Sequence, residues 1–262
     1  MQSIVSFSGG KDSTAMLLQL IERDSPIDEI LFCDTGVEFP AMYDHISDVQ
    51  KFIHRDITII HPDHDFYWYF SWYKRKSKKC KHADVTGLGF PGFMFRWCTS
   101  YLKIDPINKY CRQYKSFQTY IGYSADEEFR AQRPSINKRK NLLFPLIELN
   151  ITGKTALKLC YEAGFNWNGL YDHFNRLSCW LCPLQTLVDL KQLYIHFPDY
   201  WEQLKGLEKL SLRLVGRSMR TDFSLHQLEV RFNREIYSDN SQISFDFFSP
   251  GSKEERKIKM IR

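Results

Sequence analysis

The 262-residue chain contains no apolar run long enough to cross a membrane. Hydrophobic residues make up 43% of it, but none of its runs approaches the roughly 18 apolar residues that a spanning helix needs. The first residues also lack the charged segment and cleavage site of a secretory leader. We therefore predict a cytoplasmic protein without membrane association, built as one large domain or as one core with a smaller appendage.

A strong net charge is also missing, since 36 basic residues stand against 31 acidic ones for a net charge of +5. The basic residues are unevenly distributed, because residues 74–82 read KRKSKKCKH. This run ends an aromatic and basic stretch within residues 64–95 that shows no clear period. Such a mixture suits stacking on bases and neutralising phosphates; a solvated loop is the alternative.

The seven cysteines are absent from residues 183–262. In a cytoplasmic chain they favour metal binding or catalysis over a disulfide framework. Cys179 and Cys182 have the C-x-x-C spacing that lets two thiolates bind one metal centre. A redox pair is less favoured, since no thioredoxin-like strand precedes the motif and Pro183 lies outside it. Two buried structural cysteines remain the alternative.

The segment SGGKDS, residues 8–13, stands between a strand signal at residues 4–7 and a helical pattern that begins at Ala15. Gly9 and Gly10 allow a tight turn whose backbone N–H groups point at one spot, and the helix N-terminus adds its own. An anion is the ligand that suits such a turn, and a plain Gly-rich turn is the alternative. The GxxxxGK phosphate-loop motif of kinases and GTPases is absent.

SGGKDS resembles the PP-loop of the ATP pyrophosphatase (adenine nucleotide alpha-hydrolase) superfamily, and the chain resembles its phosphoadenosine phosphosulfate (PAPS) reductase-like branch. The superfamily includes ATP sulfurylase small subunits, tRNA thiolation enzymes, DNA phosphorothioation sulfurtransferases and PAPS reductases. The resemblance implies ATP and Mg²⁺ as ligands, with Asp12 positioning the ion. The residues expected to hold the pyrophosphate part of ATP are Ser8, Gly9, Gly10, Lys11 and Ser13.

Alternating strand and helix signals predict an α/β fold with a doubly wound, mostly parallel sheet. The second and third strands are expected at residues 29–35 and 57–62, with a helix at 40–53 between them. Asp34 then falls at a ligand-facing strand end. The resemblance implies a position near the adenosine, and we predict Lys11, Asp12 and Asp34 as catalytic residues. The alternative for Asp34 is a loop residue that caps the next helix.

A further strand is expected at residues 116–123, followed by the charged segment SADEEFRAQR. This segment resembles one in PAPS-reductase-like enzymes through Gly122 and Glu127, and we expect Glu127 and Arg130 to contact the nucleotide. Ser124 stands where an arginine is common in those enzymes, which argues against direct recognition of sulfate or a 3′-phosphate. Surface ion pairing is the alternative role for these charges, which comprise Asp126, Glu127, Arg130 and Arg133.

From residue 147 the pattern becomes helical, with Thr152 as an N-cap, a helix that ends near Gly164, and further helices at 186–214 and 223–234. We predict a nucleotide-binding domain over residues 1–147. A helical C-terminal region that carries the C-x-x-C is predicted over residues 148–262.

The segment RWCTSYLKIDPI, residues 96–107, is similar to one in assimilatory adenylyl-sulfate reductases. Those enzymes bind a 4Fe–4S cluster through a double cysteine and a downstream C-x-x-C, and Trp97 here replaces the first cysteine of the double. The resemblance therefore implies Cys98, Cys179 and Cys182 as ligands. The candidates for a fourth ligand are Cys160, Cys80 and Cys111; alternatively one iron stays open, as in three-cysteine tRNA thiolases. Zinc is the alternative metal, and Cys33 is expected in the core.

Three reactions compete. A PAPS or adenylyl-sulfate reductase would need a nucleophilic cysteine near the C-terminus, and residues 183–262 contain none. An ATP sulfurylase small subunit would explain the PP-loop but not the cysteines. We therefore expect an ATP-dependent sulfurtransferase that adenylates an acceptor, DNA or tRNA, and receives sulfur from a donor such as a cysteine desulfurase. The alternatives are the reductase and a non-catalytic nucleotide- and nucleic-acid-binding component of a DNA modification or defence complex. A homodimer is left open.

Overall fold

The computed structural model describes residues 1–74 and 86–248. Most of the basic run 74–82, the candidate ligand Cys80 and the C-terminal tail therefore lie outside the described residues. Across the described ranges, no helix is both long and apolar enough to cross a membrane.

A parallel sheet forms the centre of the fold. The strands found in the described ranges are β1 Gln2–Phe7, β2 Glu29–Cys33, β3 Thr58–Ile60, β4 Phe117–Ile121 and β5 Leu142–Leu143. Their order is β3-β2-β1-β4-β5, and each neighbouring pair is parallel. The chain order therefore changes direction between β1 and β4, where the carboxyl ends of parallel strands open a crevice for ligands. The predicted α/β fold class is confirmed.

Helices connect and cover the strands. The first group is α1 Lys11–Glu22, α2 Pro40–Ile53, α3 Phe66–Ser71, α4 Trp97–Thr99, α5 Asp105–Cys111, α6 Glu128–Ala131, α7 Pro134–Asn137 and α8 Pro145–Glu148. The second group is α9 Gly153–Glu162, α10 Leu170–His173, α11 Leu187–His196, α12 Pro198–Val215 and α13 Leu225–Phe248. Short 3₁₀ turns lie at Ala125–Glu127 and Trp167–Gly169. Thr152 caps α9 as predicted, since its hydroxyl accepts a hydrogen bond from the Thr155 N–H (3.2 Å).

The sheet and its helices share one main hydrophobic core. β1 is buried on both faces, since Val5 belongs to the main core cluster and Ile4 to a second, smaller one, as expected of a central parallel strand. Met16 on α1 and Ala156 on α9 are both fully buried in the same cluster, so this core includes residues from either side of residue 147. The division into two domains at that residue stays a prediction.

Residues 97–111 form one continuous helical segment that sequence reasoning missed. Between α4 and α5 it contains a π-helical stretch, Ser100–Ile104. Insertions of this kind are frequent at functional sites because they re-aim side chains within a helix. The segment carries Cys98 near its start and Lys103 within the π-helical stretch.

Candidate functional site

The SGGKDS segment forms the turn from β1 into α1 and is closed by its own serines. Ser13 Oγ accepts a hydrogen bond from the Ser8 N–H (3.1 Å) and donates one to the Gly10 carbonyl (2.9 Å). Gly9 has φ +75°, and a Cβ there would overlap the Met42 sulfur. Gly10 is the N-cap of α1 and no side chain caps it. The first N–H of α1, that of Lys11, nevertheless donates to a side chain, the Tyr171 hydroxyl. The glycine turn before it has the backbone geometry of an anion site.

Two aromatic residues from the C-terminal half hold this turn in place. Trp167 Nε1 donates a hydrogen bond to the Gly9 carbonyl (2.7 Å), and the Tyr171 hydroxyl accepts one from the Lys11 N–H (2.7 Å). The Trp167 ring stacks on His45 with centroids 4.3 Å apart. These contacts could not be predicted from the sequence, because they join residues about 160 positions apart and no local motif indicates them.

The segment that carries these aromatic residues has a strained backbone. Trp167, Asn168 and Gly169 have φ values of 50°, 51° and 80° in succession. Left-handed conformations are unfavourable for residues other than glycine, and such strain persists only where surrounding contacts impose it. Here the imposing contacts include the Trp167 hydrogen bond to the PP-loop, so this strain belongs to the candidate site.

Carboxylates surround the Lys11 ammonium. Lys11 Nζ lies 2.8 Å from both Asp12 carboxylate oxygens, and Asp126 accepts a hydrogen bond from the Gly153 N–H (2.8 Å). Burial raises the pKa of Asp12 against the opposing effect of Lys11, and the nearby charges of Glu127 and Asp126 raise it further. The raised pKa of Asp12 therefore reflects burial together with crowded negative charge.

Glu127 and Arg130 form an ion pair at 2.6 Å. The Arg130 guanidinium lies over the Tyr123 ring at 4.2 Å, and the Tyr123 ring is itself stacked on Phe144. Glu127, Arg130 and Tyr123 all line the cavity described below. The structure therefore brings both of these predicted nucleotide contacts to the PP-loop.

Asp34 stands apart from that group. It follows β2 as predicted, but its Oδ1 accepts hydrogen bonds from the Gly36 N–H and the Tyr43 hydroxyl, both at 2.8 Å. It does not line the cavity, whereas the neighbouring residues Thr35 and Glu38 do. Asp126 and Glu127, which follow β4, are the carboxylates that line the cavity beside the PP-loop.

One cavity of about 470 Å³ joins the PP-loop to the three cysteines of the predicted metal centre. Ser8, Gly10, Lys11, Asp12 and Ser13 contribute to its lining, and so do Cys98, Cys179 and Cys182. The cavity opens at the carboxyl ends of β1 and β4, where the order of the sheet changes direction. The nucleotide motif and the cysteine motif thus reach the same space, although Cys98 and Cys179 lie far apart in sequence.

Cys179 lies in a polar pocket within this cavity that the sequence did not reveal. Its thiol donates a hydrogen bond to Glu38 Oε1 (3.3 Å), which also accepts one from the Thr35 hydroxyl (3.0 Å). Lys103 Nζ lies 3.7 Å from the same oxygen. Burial, followed by the Glu38 charge, raises the pKa of Cys179 well above its usual value. Burial likewise raises the pKa of Cys98, with Cys182 as the next contribution.

The two candidate fourth ligands among the described residues, Cys160 and Cys111, lie elsewhere. Cys160 is fully buried behind the PP-loop and donates a hydrogen bond to the Lys11 carbonyl (3.4 Å), and burial raises its pKa to about 12. Cys111 belongs to a separate small apolar cluster that also contains Cys33, which is buried as expected. Neither Cys160 nor Cys111 lines the cavity.

The donor set fits a centre held by three thiolates. Cys98, Cys179 and Cys182 are soft ligands of the type that iron–sulfur clusters and zinc prefer. Among the described residues, however, no three His, Cys, Asp or Glu side chains are close enough together to hold a single metal ion. Binding a metal centre here would therefore require the three thiols to move closer together.

Two of the solved structures to which this chain is similar are each 14% identical to it in sequence. One is phosphoadenylyl-sulfate (PAPS) reductase from Candida auris in a phosphate complex, with a TM-score of 0.46 over 69% of this chain and 82% of that one. The other is the U34-tRNA thiolase NcsA from Methanococcus maripaludis with its 4Fe–4S cluster, with a TM-score of 0.38 over 80% of this chain and 72% of that one.

Three curated relatives are uncharacterized. MJ0066 of Methanocaldococcus jannaschii is 26% identical over 78% of this chain and 41% of its own length, and MJ0973 of the same organism is 28% identical over 75% and 46%. The nin region protein ORF290 of Escherichia phage lambda is 31% identical over 52% and 53%. The chain thus spans about half the length of the curated relatives it matches.

A family model gives the assignment. The model of the phosphoadenosine phosphosulfate reductase domain matches residues 2–185, which include the PP-loop and all three cavity cysteines. The matched range covers most of the chain and ends three residues after Cys182. The chain therefore belongs to the phosphoadenosine phosphosulfate reductase domain family, in the PP-loop superfamily.

Proposed function

We propose that the protein is an ATP-dependent sulfurtransferase that activates a nucleic-acid acceptor by adenylation and then replaces the activated oxygen with sulfur. The observation that carries this proposal is the shared cavity, which is lined by the PP-loop and by Cys98, Cys179 and Cys182. An enzyme of this class needs a pyrophosphate site and a sulfur-handling site within reach of one acceptor atom.

The turn at residues 8–13 would hold the pyrophosphate part of ATP. The Gly9 and Gly10 N–H groups and the Lys11 ammonium would donate to this anion. The Ser8 and Ser13 hydroxyls, which are hydrogen-bonded to each other (3.0 Å), would turn toward it when it binds. Mg²⁺ would be held by Asp12 together with Asp126, which lines the cavity where Asp34 does not, and would neutralise charge on the departing pyrophosphate. The crowded carboxylates around Asp12 support this assignment, since a cation would relieve their repulsion.

The reaction is redox-neutral when the sulfur donor delivers sulfide. The acceptor carbonyl oxygen attacks the α-phosphorus of ATP and pyrophosphate leaves; sulfide then adds to the activated carbon, and AMP departs with the original oxygen. Lys11 would stabilise the negative charge that develops on the phosphate oxygens. A 4Fe–4S cluster held by the three thiols would supply bound sulfide, whereas zinc would only join the two segments. A cysteine desulfurase would deliver its sulfur as a persulfide, so with that donor a thiol reductant must supply the two electrons that release sulfide.

The test is to incubate anaerobically purified protein with Mg-ATP, sulfide and either tRNA or DNA. We expect pyrophosphate and AMP to appear together with thiolated nucleic acid. Asp12→Asn should abolish pyrophosphate release with little effect on folding, because Asp12 lies at the cavity wall. Iron and acid-labile sulfide should be lost in Cys98→Ala and retained in Cys111→Ala, the matched control outside the cavity. Release of ADP and inorganic phosphate in place of AMP and pyrophosphate would contradict the proposal.

Reduction of PAPS or adenylyl sulfate is the second candidate, and the family assignment favours it. It predicts tighter binding of PAPS than of Mg-ATP and release of sulfite in the presence of a thiol reductant. Calorimetric titration with both nucleotides separates the two reactions. A non-catalytic role in a DNA modification or defence complex predicts nucleotide binding without pyrophosphate release.

A further inference from the structure

A hydrogen-bonded turn at residues 92–95 projects beside the cavity, and its two central residues, Phe93 and Met94, form an apolar tip. Gly92 and Phe95 exchange backbone hydrogen bonds, each N–H donating to the other carbonyl at 3.1 Å. The two residues between them, Phe93 and Met94, are 79% and 91% exposed. Because the turn is closed by two hydrogen bonds, its backbone holds these large apolar side chains outward at a defined position.

The chain on both sides of the tip is anchored in the fold. Phe90 is fully buried, and its N–H donates to the Ser211 hydroxyl (3.0 Å). Its carbonyl accepts a hydrogen bond from Arg217 (3.1 Å), whose guanidinium also lies over the Phe95 ring at 5.1 Å. The tip is therefore a supported projection rather than a loose loop.

The tip lies at the edge of the proposed active site. Pro91 and Gly92 before it and Arg96 after it line the cavity, as does Arg176 from the segment before the C-x-x-C. No carboxylate of residues 1–74 or 86–238 lies within ion-pair distance of Arg96 or Arg176. Arg96 and Arg176, which pair with no acidic side chain in the described part of the protein, thus accompany the exposed apolar pair.

We propose that Phe93 and Met94 form a wedge that inserts between neighbouring bases of a single-stranded nucleic acid and directs an unstacked base into the cavity. This inference rests on the proposed function, because it specifies the acceptor. Phe and Met are side chains that wedge between bases in known protein–nucleic acid interfaces. Arg96 and Arg176 complement the phosphates on either side, and enzymes that modify a base must first take it out of the stack.

The combination favours nucleic acid over a protein partner. The exposed apolar surface at the tip comes from Phe93 and Met94, with a smaller part from Phe95, which is small for the apolar centre of a protein interface. The polar groups beside it are the cationic side chains of Arg96 and Arg176, which line the cavity, whereas a protein interface has a polar rim around its apolar centre. Bases offer apolar faces and phosphates offer charge, so a nucleic acid strand satisfies both features at once.

The experiment measures binding of a short single strand that carries 2-aminopurine, whose fluorescence rises when the base leaves the stack. Without ATP, the parent protein should bind the strand and raise the fluorescence. The double variant Phe93→Ser with Met94→Ser should bind about tenfold or more weakly and lose the fluorescence rise. Arg96→Gln should retain part of the rise and lower the salt dependence of binding by about one phosphate contact. Val230→Ser, an exposed apolar site on α13 that does not line the cavity, is the matched control and should behave like the parent.

Equal binding and equal fluorescence in the double variant and the parent would overturn the wedge, and so would a parent protein that binds no single-stranded DNA or RNA at low salt. The double variant and Val230→Ser should unfold at the same urea concentration as the parent, so that a difference in binding does not come from a folding defect. Pyrophosphate release from ATP is measured separately. A protein that releases pyrophosphate but binds no strand would refute the wedge alone, whereas strand binding without pyrophosphate release would refute the proposed reaction alone.

Discussion

Replacing Gly122 by alanine tests how closely β4 approaches the start of α1. A Cβ at this position would lie 2.9 Å from the Ser13 Cα, 3.0 Å from the Ser13 nitrogen and 3.1 Å from the Asp12 carbonyl carbon. All three atoms belong to the backbone, so no flexible side chain can move aside. The first turn of α1 must therefore shift away from β4, and it carries the PP-loop with it.

The size of the effect follows from two opposing terms. Overpacking against a fixed backbone costs about 1–3 kcal/mol. Replacing glycine by alanine reduces the entropy of the unfolded chain and returns about 0.4–1 kcal/mol where the native backbone tolerates alanine. We expect a net loss of about 1–2 kcal/mol in the free energy of unfolding, together with weaker binding of Mg-ATP.

Gly206→Ala is the matched control. Gly206 lies in the middle of α12, and a Cβ there would meet no heavy atom within 4 Å. Alanine should stabilise this helix by about 0.5–1 kcal/mol and leave nucleotide binding unchanged. Urea unfolding and calorimetric titration with Mg-ATP measure both quantities for both variants. If Gly122→Ala proves as stable as the parent and binds Mg-ATP equally well, the close approach of β4 to the PP-loop is refuted.

Three further predictions follow from the surroundings of the PP-loop. In Gly153→Ala the new Cβ would lie 2.9 Å from Lys11 Nζ, a flexible side-chain end, so calorimetry should find weaker Mg-ATP binding at nearly unchanged stability; unchanged affinity would contradict the placement of Lys11. Tyr171→Phe removes the acceptor of the Lys11 N–H and should cost about 1 kcal/mol while speeding hydrogen exchange at that amide; unchanged protection would argue against this bond. Burial lowers the pKa of His45 to about 4. In the unfolded chain this histidine has a pKa of about 6.5, so as the pH falls the unfolded state takes up the proton before the folded state does. Stability should therefore be constant above pH 6.5 and fall by about 3 kcal/mol as the pH drops to 4, and the corresponding part of this loss should vanish in His45→Gln when urea unfolding is compared across that range.

Local patterns were sufficient for the main elements of the fold. The strand before SGGKDS, the helix at 40–53 and the N-cap at Thr152 all depend on neighbouring residues, and the structure contains each of them. β5 was missed because it has two residues and no pattern of its own. The helical segment 97–111 was missed because Pro106 and the β-branched Thr99 and Ile104 weaken its helical signal.

The candidate site likewise contains residues that the sequence could predict and residues that it could not. Residues within one motif, such as Lys11 and Asp12, could be placed at the site from the sequence. The partners supplied by distant segments could not, because contacts such as Tyr171 to Lys11 and Glu38 to Cys179 depend on tertiary packing. Asp34 shows the limit of the strand-end argument, since its position after β2 is right while its carboxylate bonds to Tyr43 outside the cavity.

The central claim is that the PP-loop and the three cavity cysteines serve one reaction, and the stoichiometry of a single turnover tests it most directly. Anaerobic protein in excess over nucleic acid is mixed with Mg-ATP and labelled sulfide, and pyrophosphate, AMP and incorporated sulfur are quantified together. If both sites serve one reaction, the parent protein should yield pyrophosphate, AMP and incorporated sulfur in equal amounts. Asp12→Asn should release no pyrophosphate, and Cys179→Ala should release pyrophosphate without incorporating sulfur. Sulfur incorporation that proceeds without ATP, or an unaltered yield of thiolated product in Cys179→Ala, would contradict the claim.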